Sequence, residues 1–228
     1  MGNRSQEQLT LLTDYDTNSA YTEALRTLFA NIRFHWESDS DKHAQAHSLL
    51  VTTPSAYGDS AAVTANLAIV AAQSGTPTIL VDANLREPQF QQRFGLEKPT
   101  GLSDLLADEL ITSEKIAASL QSTFIPGLRV VGAGTAKGQA ASLLSPRLEV
   151  VVQGLCKLPN ETENRTGIVI FHSPPVLSGA DASLIGALVD HTALTIIVNR
   201  TTQAHAKQAQ EQLQQAHAKI IGIVLLNL

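Results

Sequence analysis

The chain has 228 residues, of which 43% are hydrophobic, and this size and composition fit one α/β domain with an ample core. A formal net charge of −5 and the lack of a basic stripe in the sequence argue against nucleic-acid binding. The lone cysteine, Cys156, excludes an internal disulfide, and no apolar run forms a signal peptide or approaches the ~18 residues of a membrane span. These features predict one cytoplasmic domain that spans residues 1–228.

The N-terminal part is predicted to be an arm followed by a helix. Residues 1–17 are polar, and we expect them to form a flexible arm. Residues 19–37 carry apolar side chains at three- and four-residue spacing, which predicts an amphipathic helix. The predicted apolar face consists of Tyr21, Ala24, Leu25, Leu28, Ile32 and His35. By pattern alone this is an ordinary helix with Glu23 and Arg26 in solvent.

The stretch of residues 49–88 reads as strand, turn, helix, strand and turn. Two short apolar runs, 49–51 and 79–81, are typical of buried parallel strands. The segment between them, 61–72, is rich in Ala, Leu, Ile and Val and has the length of a helix. In such βαβ units ligands bind at the carboxyl ends of the strands. The first turn and Asp82, which follows the second run, are therefore the candidate ligand-binding residues.

The turn after the first strand occupies the place of a phosphate-binding loop but lacks its chemistry. Such a loop needs glycines whose N–H groups surround phosphate, a lysine for the phosphate oxygens and a Ser or Thr hydroxyl for magnesium. The turn instead reads Tyr57, Gly58, Asp59, Ser60, Ala61 and Ala62. It has one glycine, no Lys or Arg occurs in residues 44–84, and Asp59 adds a negative charge. The pattern predicts a degenerate phosphate loop.

Further apolar runs predict four more strands, separated by helical segments. The runs are residues 128–131, 167–171, 194–199 and 220–227. Ser103 is expected to be the N-cap of a short helix. Strands that alternate with helices predict an α/β fold in which helices flank a parallel sheet on both faces.

Several motifs occur in a fixed order along nearly the whole chain. Thr52, Thr53 and residues 66–68 match the two ends of T-S-x-x-P-G-E-G-K-S-T-x-x-x-N-L-A. Further matches are Asp82, Arg86 and Pro88 in I-D-x-D-x-R-x-P, Gly101 to Leu106 in G-L-S-D-x-L, and Asp181 with Ala182. Together these motifs resemble the cytoplasmic domain of the bacterial tyrosine kinases (BY-kinases) that control capsule and exopolysaccharide synthesis. The resemblance implies a P-loop NTPase-like parallel sheet.

The positions that carry the chemistry in this family are altered. Aligned without gaps, Ser60 falls on the Walker A lysine and Ala61 on the magnesium-binding serine. Asn84 replaces the second acid of the next motif, and His172 replaces the Walker B aspartate. Phosphoryl transfer depends on positioning and on charge neutralisation by these groups. The resemblance therefore implies a degenerate member, in which we expect no catalytic residue, no cofactor and no metal.

The first hypothesis is a catalytically inactive pseudokinase that acts as a binding or regulatory partner in polysaccharide biosynthesis or export. The resemblance implies as partner a membrane-spanning chain-length regulator or an active kinase paralogue, which would recruit the chain to the inner face of the membrane. It also implies that helix 19–37 docks on a neighbouring subunit in a homo-oligomer. The interface residues would be Glu23, Arg26 and Phe29, the last of which stands where the family has arginine.

Two alternatives stay open. The first is an active protein-tyrosine kinase or ATPase that binds ATP or ADP with Mg²⁺, in which Asp82 and Arg86 would be catalytic and Asp82 with Asn84 would hold the metal. The second is a hydrolytic triad of Ser60, His172 and either Asp82 or Asp59, since all of these lie at one edge of the predicted sheet. The sequence lacks the G-x-S-x-G elbow of such enzymes.

Overall fold

The apolar runs form one seven-stranded sheet in the computed structural model, which describes residues 11, 19–38, 46–56, 59–135, 146–163 and 166–227. The strands are β1 His47–Thr52, β2 Thr78–Asp82, β3 Gln121–Ser122, β4 Leu128–Val131, β5 Ile168–His172, β6 His191–Ile197 and β7 Ile220–Leu226. Their order is β3-β4-β2-β5-β1-β6-β7. All neighbouring strands are parallel except the edge pair β3–β4. The predicted parallel sheet is confirmed.

Helices cover both faces of this sheet, as predicted. They are α1 Ala20–Ser38, α2 Ser60–Gln73, α3 Phe90–Arg93, α4 Leu102–Ala107, α5 Ser113–Ser119, α6 Arg147–Glu163, α7 Asp181–Gly186 and α8 Gln203–Gln215. The first three pack on one face and the other five on the opposite face. In the part of the chain that the structure describes, no helix has the length and apolar character needed to cross a membrane.

Helix α1 packs against α2 through a seam of large apolar side chains. Leu25, Phe29, Ile32 and Trp36 are all at most 6% exposed and belong to one core cluster with residues of α2. The Trp36 ring stacks on His47, the first residue of β1, with ring centroids 4.8 Å apart and planes 9° apart. The predicted arm, residues 1–17, lies outside the described residues apart from Leu11, which packs against this cluster.

The three residues assigned to an interface lie in two different environments. Glu23 and Arg26 form an ion pair on the exposed side of α1, with side chains 58% and 46% exposed. Phe29 is only 3% exposed and packs in the chain's own core, because the seam with α2 requires an apolar ring there. Its ring also lines a groove of about 280 Å³ between the two helices. Phe29 therefore presents little surface to a neighbouring subunit.

The prediction that Ser103 caps a helix is wrong. Helix α4 begins two residues earlier than that prediction implies, at Leu102, and its N-cap is Gly101. The Gly101 N–H donates to Asp104 Oδ2 at 2.8 Å, while Ser103 is fully buried in the first turn. A Cβ atom at Gly101 would lie 2.0 Å from the carbonyl oxygen of Gly132. This close approach of two backbone segments requires glycine and sets where α4 begins.

Candidate functional site

The carboxyl ends of β1, β5 and β2 meet beside the first turn of α2. In the strand register His172 lies opposite Val51 on one side and Asp82 on the other. Leu80 and Ile170 pack against α2, and Asp82 and His172 each lie two residues further along the same strands. Because alternate residues of a strand face the same side, the side chains of Asp82 and His172 also face α2. Of the predicted loop, Tyr57 and Gly58 lie outside the described residues. Asp59 is the N-cap of α2, and residues 60–62 form the first turn of this helix.

The N-terminus of α2 is occupied by an ion pair. Asp59 is the N-cap, and its Oδ1 accepts a hydrogen bond from the Ala62 N–H at 2.9 Å. Its Oδ2 is paired with the Arg93 guanidinium from the end of α3. The two side chains are only 9% and 13% exposed, respectively. A carboxylate therefore lies where the partial positive charge of a helix N-terminus would otherwise face an anionic ligand.

The sequence did not reveal the role of Arg93. From the loop sequence we expected no cation near Asp59 at this edge of the sheet, because residues 44–84 contain no Lys or Arg. Arg93 comes from a different segment, 34 residues further along the chain, and also donates to Gln89 Oε1 at 2.8 Å. The signal that could have indicated it is an arginine placed soon after β2, at the edge where Asp59 lies.

Asp82 is buried, and its two carboxylate oxygens differ in their contacts. Its Oδ2 accepts hydrogen bonds from the N–H groups of Gln89 and Phe90 at 2.8 and 3.0 Å. Among the described residues its Oδ1 has no hydrogen-bond partner. Burial raises the pKa of Asp82 from 3.8 to about 6, against the opposing effect of the backbone hydrogen bonds and of Arg93. The side chain fixes the start of α3 to the end of β2.

Asp82→Asn is expected to change how stability depends on pH. Because the folded state raises the pKa of Asp82 from 3.8 to about 6, it binds this proton more tightly than the unfolded chain does. Protonated Asp82 therefore contributes about 3 kcal/mol to the free energy of unfolding below pH 3.8. This contribution is lost as the pH rises through about 6. Urea unfolding across this range should show the wild type losing stability relative to Asp82→Asn. A difference that does not vary with pH would contradict the assignment.

His172 is a neutral, buried side chain at the end of β5. It is 1% exposed and lies against the Phe90 ring, with centroids 5.4 Å apart. Burial, and secondarily the charge of Arg93, lowers the pKa of His172 from 6.5 to about 3. Its Nδ1 lies 3.4 Å from Thr64 Oγ1, which itself donates to the Ser60 carbonyl at 2.9 Å. This contact therefore requires the imidazole proton on Nδ1.

Asn84 and Arg86 both have structural partners. The Asn84 Oδ1 accepts from the Glu87 N–H at 3.2 Å, which closes the turn after β2. The Arg86 Nε donates to Asp181 Oδ2 at 2.8 Å, and this ion pair joins the turn to α7. The pair raises the pKa of Arg86, so its charge is retained. The structure thus directs Arg86 toward Asp181, and the amide of Asn84 serves the backbone.

The remaining loop residues offer little chemistry, and the proposed triad is not assembled. Ala61 and Ala62 are buried and carry no side-chain oxygen, while Ser60 is the first residue of α2. The imidazole of His172 contacts Thr64, and both candidate acids bond to backbone N–H groups. Within the described ranges no group of three or more His, Cys, Asp or Glu side chains is arranged to hold a metal ion.

Comparison with known proteins shows what the chain is similar to. No protein-family model matches it. It is 29% identical over 224 residues to the tyrosine-protein kinase YwqD of Bacillus subtilis, and the alignment covers 98% of this chain and 87% of that protein. The solved BceF tyrosine kinase domain superposes with a TM-score of 0.78 at 26% identity, covering 96% of this chain and 82% of that one.

More distant structures share the fold alone. The Pyrococcus furiosus cell division ATPase MinD matches with a TM-score of 0.62 at 19% identity, over 78% of this chain and 71% of that one. Its sheet and flanking helices are those of a P-loop NTPase. The fold of this chain is thus P-loop NTPase-like, and its homologues are bacterial tyrosine-protein kinases.

Proposed function

We propose that this protein is a catalytically inactive, BY-kinase-like pseudokinase that acts as a binding or regulatory partner in capsular or exopolysaccharide biosynthesis or export. The observation that carries the proposal is the ion pair at the N-terminus of α2. The carboxylate of Asp59 binds the N-terminus of α2, and Arg93 neutralises the charge of this carboxylate. A nucleotide phosphate would meet a carboxylate at the place where a P-loop offers N–H groups and a lysine.

The residues that replace the magnesium ligands support the same proposal. Mg²⁺ prefers hard oxygen ligands in near-octahedral geometry. His172 offers a buried nitrogen and no oxygen, the Asn84 oxygen is bonded to the Glu87 N–H, and Ala61 has no hydroxyl. Asp82 has one carboxylate oxygen, Oδ1, that accepts no hydrogen bond from the described residues. One such oxygen does not make a magnesium site.

The partner that we propose is a membrane-spanning polysaccharide chain-length regulator or an active kinase paralogue, which would hold the protein at the cytoplasmic face of the membrane. The exposed side of α1 is the surface that we assign to it. There Glu23 and Arg26 are exposed, and Arg26 also borders the groove between α1 and α2. A homo-oligomer formed through this same surface is part of the proposal.

Calorimetric titration with ADP and ATP, with and without Mg²⁺, tests the proposal. The pseudokinase should give no binding heat up to millimolar nucleotide, while the homologous kinase YwqD serves as the positive control. Tyrosine phosphorylation by the purified protein, absent from an Asp82→Ala control, would overturn the proposal. The partner assignment has its own test, since Arg26→Glu should weaken binding to a candidate partner and leave the nucleotide result unchanged.

The second candidate function is a kinase or ATPase with an atypical nucleotide site. The observation that favours it is Oδ1 of buried Asp82, which accepts no hydrogen bond from the part of the chain that the structure describes and could ligate a single metal ion. Nucleotide binding in the micromolar range that depends on Mg²⁺, and that is abolished in Asp82→Asn, would support this function against the first.

A further inference from the structure

The contact between Asp59 and Arg93 joins two segments that are far apart in the sequence. Asp59 belongs to the turn after β1, and Arg93 ends α3, which follows β2. The start of α3 is in turn fixed by Asp82, through the two hydrogen bonds to Gln89 and Phe90. A continuous set of contacts therefore runs from the N-terminus of α2 to the end of β2, across the edge where ligands bind in α/β folds.

The geometry of Asp59 is that of a bound oxyanion. One carboxylate oxygen accepts from a backbone N–H in the first turn of α2, and the other is paired with a guanidinium. A phosphate or carboxylate ligand at a helix N-terminus would make the same two kinds of contact. Here the anion is part of the chain, and with side chains at most 13% exposed the pair leaves little access for a competitor.

We propose that the Asp59–Arg93 pair is an autoinhibitory lock, which closes this edge of the sheet against oxyanions by supplying an internal one. The inference deepens the proposed function, on which it rests for the view that the wild type binds no nucleotide. It adds that two features exclude anions from this edge of the sheet: the loss of the loop lysine, and the Asp59–Arg93 pair itself. Arg93 is the cation that an anion would meet once Asp59 no longer neutralises it.

Asp59→Asn is the variant that separates charge from capping. Asparagine is as good an N-cap as aspartate, so the helix start is retained while the negative charge is lost. The Arg93 guanidinium is then left without its carboxylate beside a helix N-terminus. We expect inorganic pyrophosphate to bind this variant at least about tenfold more tightly than the wild type, the effect of one charge-assisted hydrogen bond.

The test is calorimetric titration of inorganic pyrophosphate, without nucleotide or metal, into the wild type, Asp59→Asn and the double variant Asp59→Asn/Arg93→Gln. The wild type and the double variant should show no binding in the millimolar range, and Asp59→Asn should bind. If Asp59→Asn binds no better than the wild type, or if the double variant binds equally well, the lock is disproved. Binding of Mg²⁺-ATP by the wild type would contradict the proposed function and the lock together, whereas failure of the pyrophosphate test alone leaves the proposed function intact.

Hydrogen exchange provides a second measurement that does not depend on the stability of Asp59→Asn. In Arg93→Gln the amides of residues 60–64 and 90–94 should exchange faster than in the wild type, because the contact that joins the two segments is lost. Exchange in the last turns of α2 should not change and serves as the internal control. Equal exchange of both segments in the two proteins would refute a lock.

Discussion

Replacing His172 by aspartate is expected to lower the free energy of unfolding by about 3 to 5 kcal/mol at pH 7, the loss typical of a buried charge without a partner. His172 is 1% exposed and lies opposite Asp82 on the neighbouring strand. The substitution therefore places two carboxyl groups side by side in the core. Arg93, whose charge acts on both positions, is already paired with Asp59. An aspartate at position 172 alone should thus damage the fold.

Urea unfolding at pH 7 measures this effect, with His172→Asn as the matched control, since asparagine has the size of aspartate but no charge. The aspartate variant should be the less stable of the two by several kcal/mol. Millimolar Mg²⁺ should not restore its stability, because Asn84 and Ala61 supply no co-ligands. Recovery with Mg²⁺ would contradict the pseudokinase proposal, since it would mean that a working metal site needs only this one carboxylate.

The wild type is expected to lose stability in acid through the same residue. The unfolded chain protonates His172 near pH 6.5, whereas burial lowers the pKa of the folded imidazole to about 3. In this range the unfolded state binds more protons, so the free energy of unfolding falls as the pH falls. Relative to His172→Asn the loss should reach about 3 kcal/mol at pH 4.5 and about 4 kcal/mol near pH 3.

Paired denaturation curves of the wild type and His172→Asn at several pH values give this difference directly. The comparison with a variant is essential, because Asp82 has the opposite pH dependence between 3.8 and about 6 and partly masks the trend in the wild type alone. Repeating the pair in an Asp82→Asn background isolates the imidazole. If the wild type and His172→Asn lose stability in parallel, then His172 is not held neutral by burial.

The strands were predictable because burial on both faces leaves a plain sequence signal. Leu49, Leu50 and Val51 are all at most 1% exposed, and a short apolar run between turn residues is typical of a strand that is covered on both sides. Strand β3 was not predicted, since two residues at an antiparallel edge carry no periodic pattern. The start of α4 was placed wrongly because the contact of Gly101 with Gly132 joins backbone segments that no local pattern connects.

The face of α1 was only partly predictable. Leu25 and Ile32 are buried as expected, but Ala24 and His35 are exposed. The seam instead includes Phe29, which the resemblance had placed at an interface. Helical spacing defines two neighbouring stripes on this segment, and the packing of α2 decides between them.

Most of the residues that belong to the candidate site were predictable from the sequence, but their arrangement was not. The positions of Ser60, Asn84 and His172 were evident from the order of the motifs. That Asp59 is neutralised by Arg93 was not, because an ion pair between residues 34 positions apart depends on the register of three strands and on the anchoring of α3. We expected no cation at this site, but the structure places Arg93 there, already paired with Asp59.

The stacking of Trp36 on His47 gives the protein an intrinsic optical reporter. The chain has one tryptophan, so its emission arises from a single known place, the end of α1 against the start of β1. Trp36 is only 6% exposed in this stack, so undocking of α1 would transfer the indole from the core to water and change its emission. The emission of unlabelled protein therefore reports whether α1 stays docked when a partner binds its outer side, and a partner that displaces the helix is distinguishable from one that rests on it.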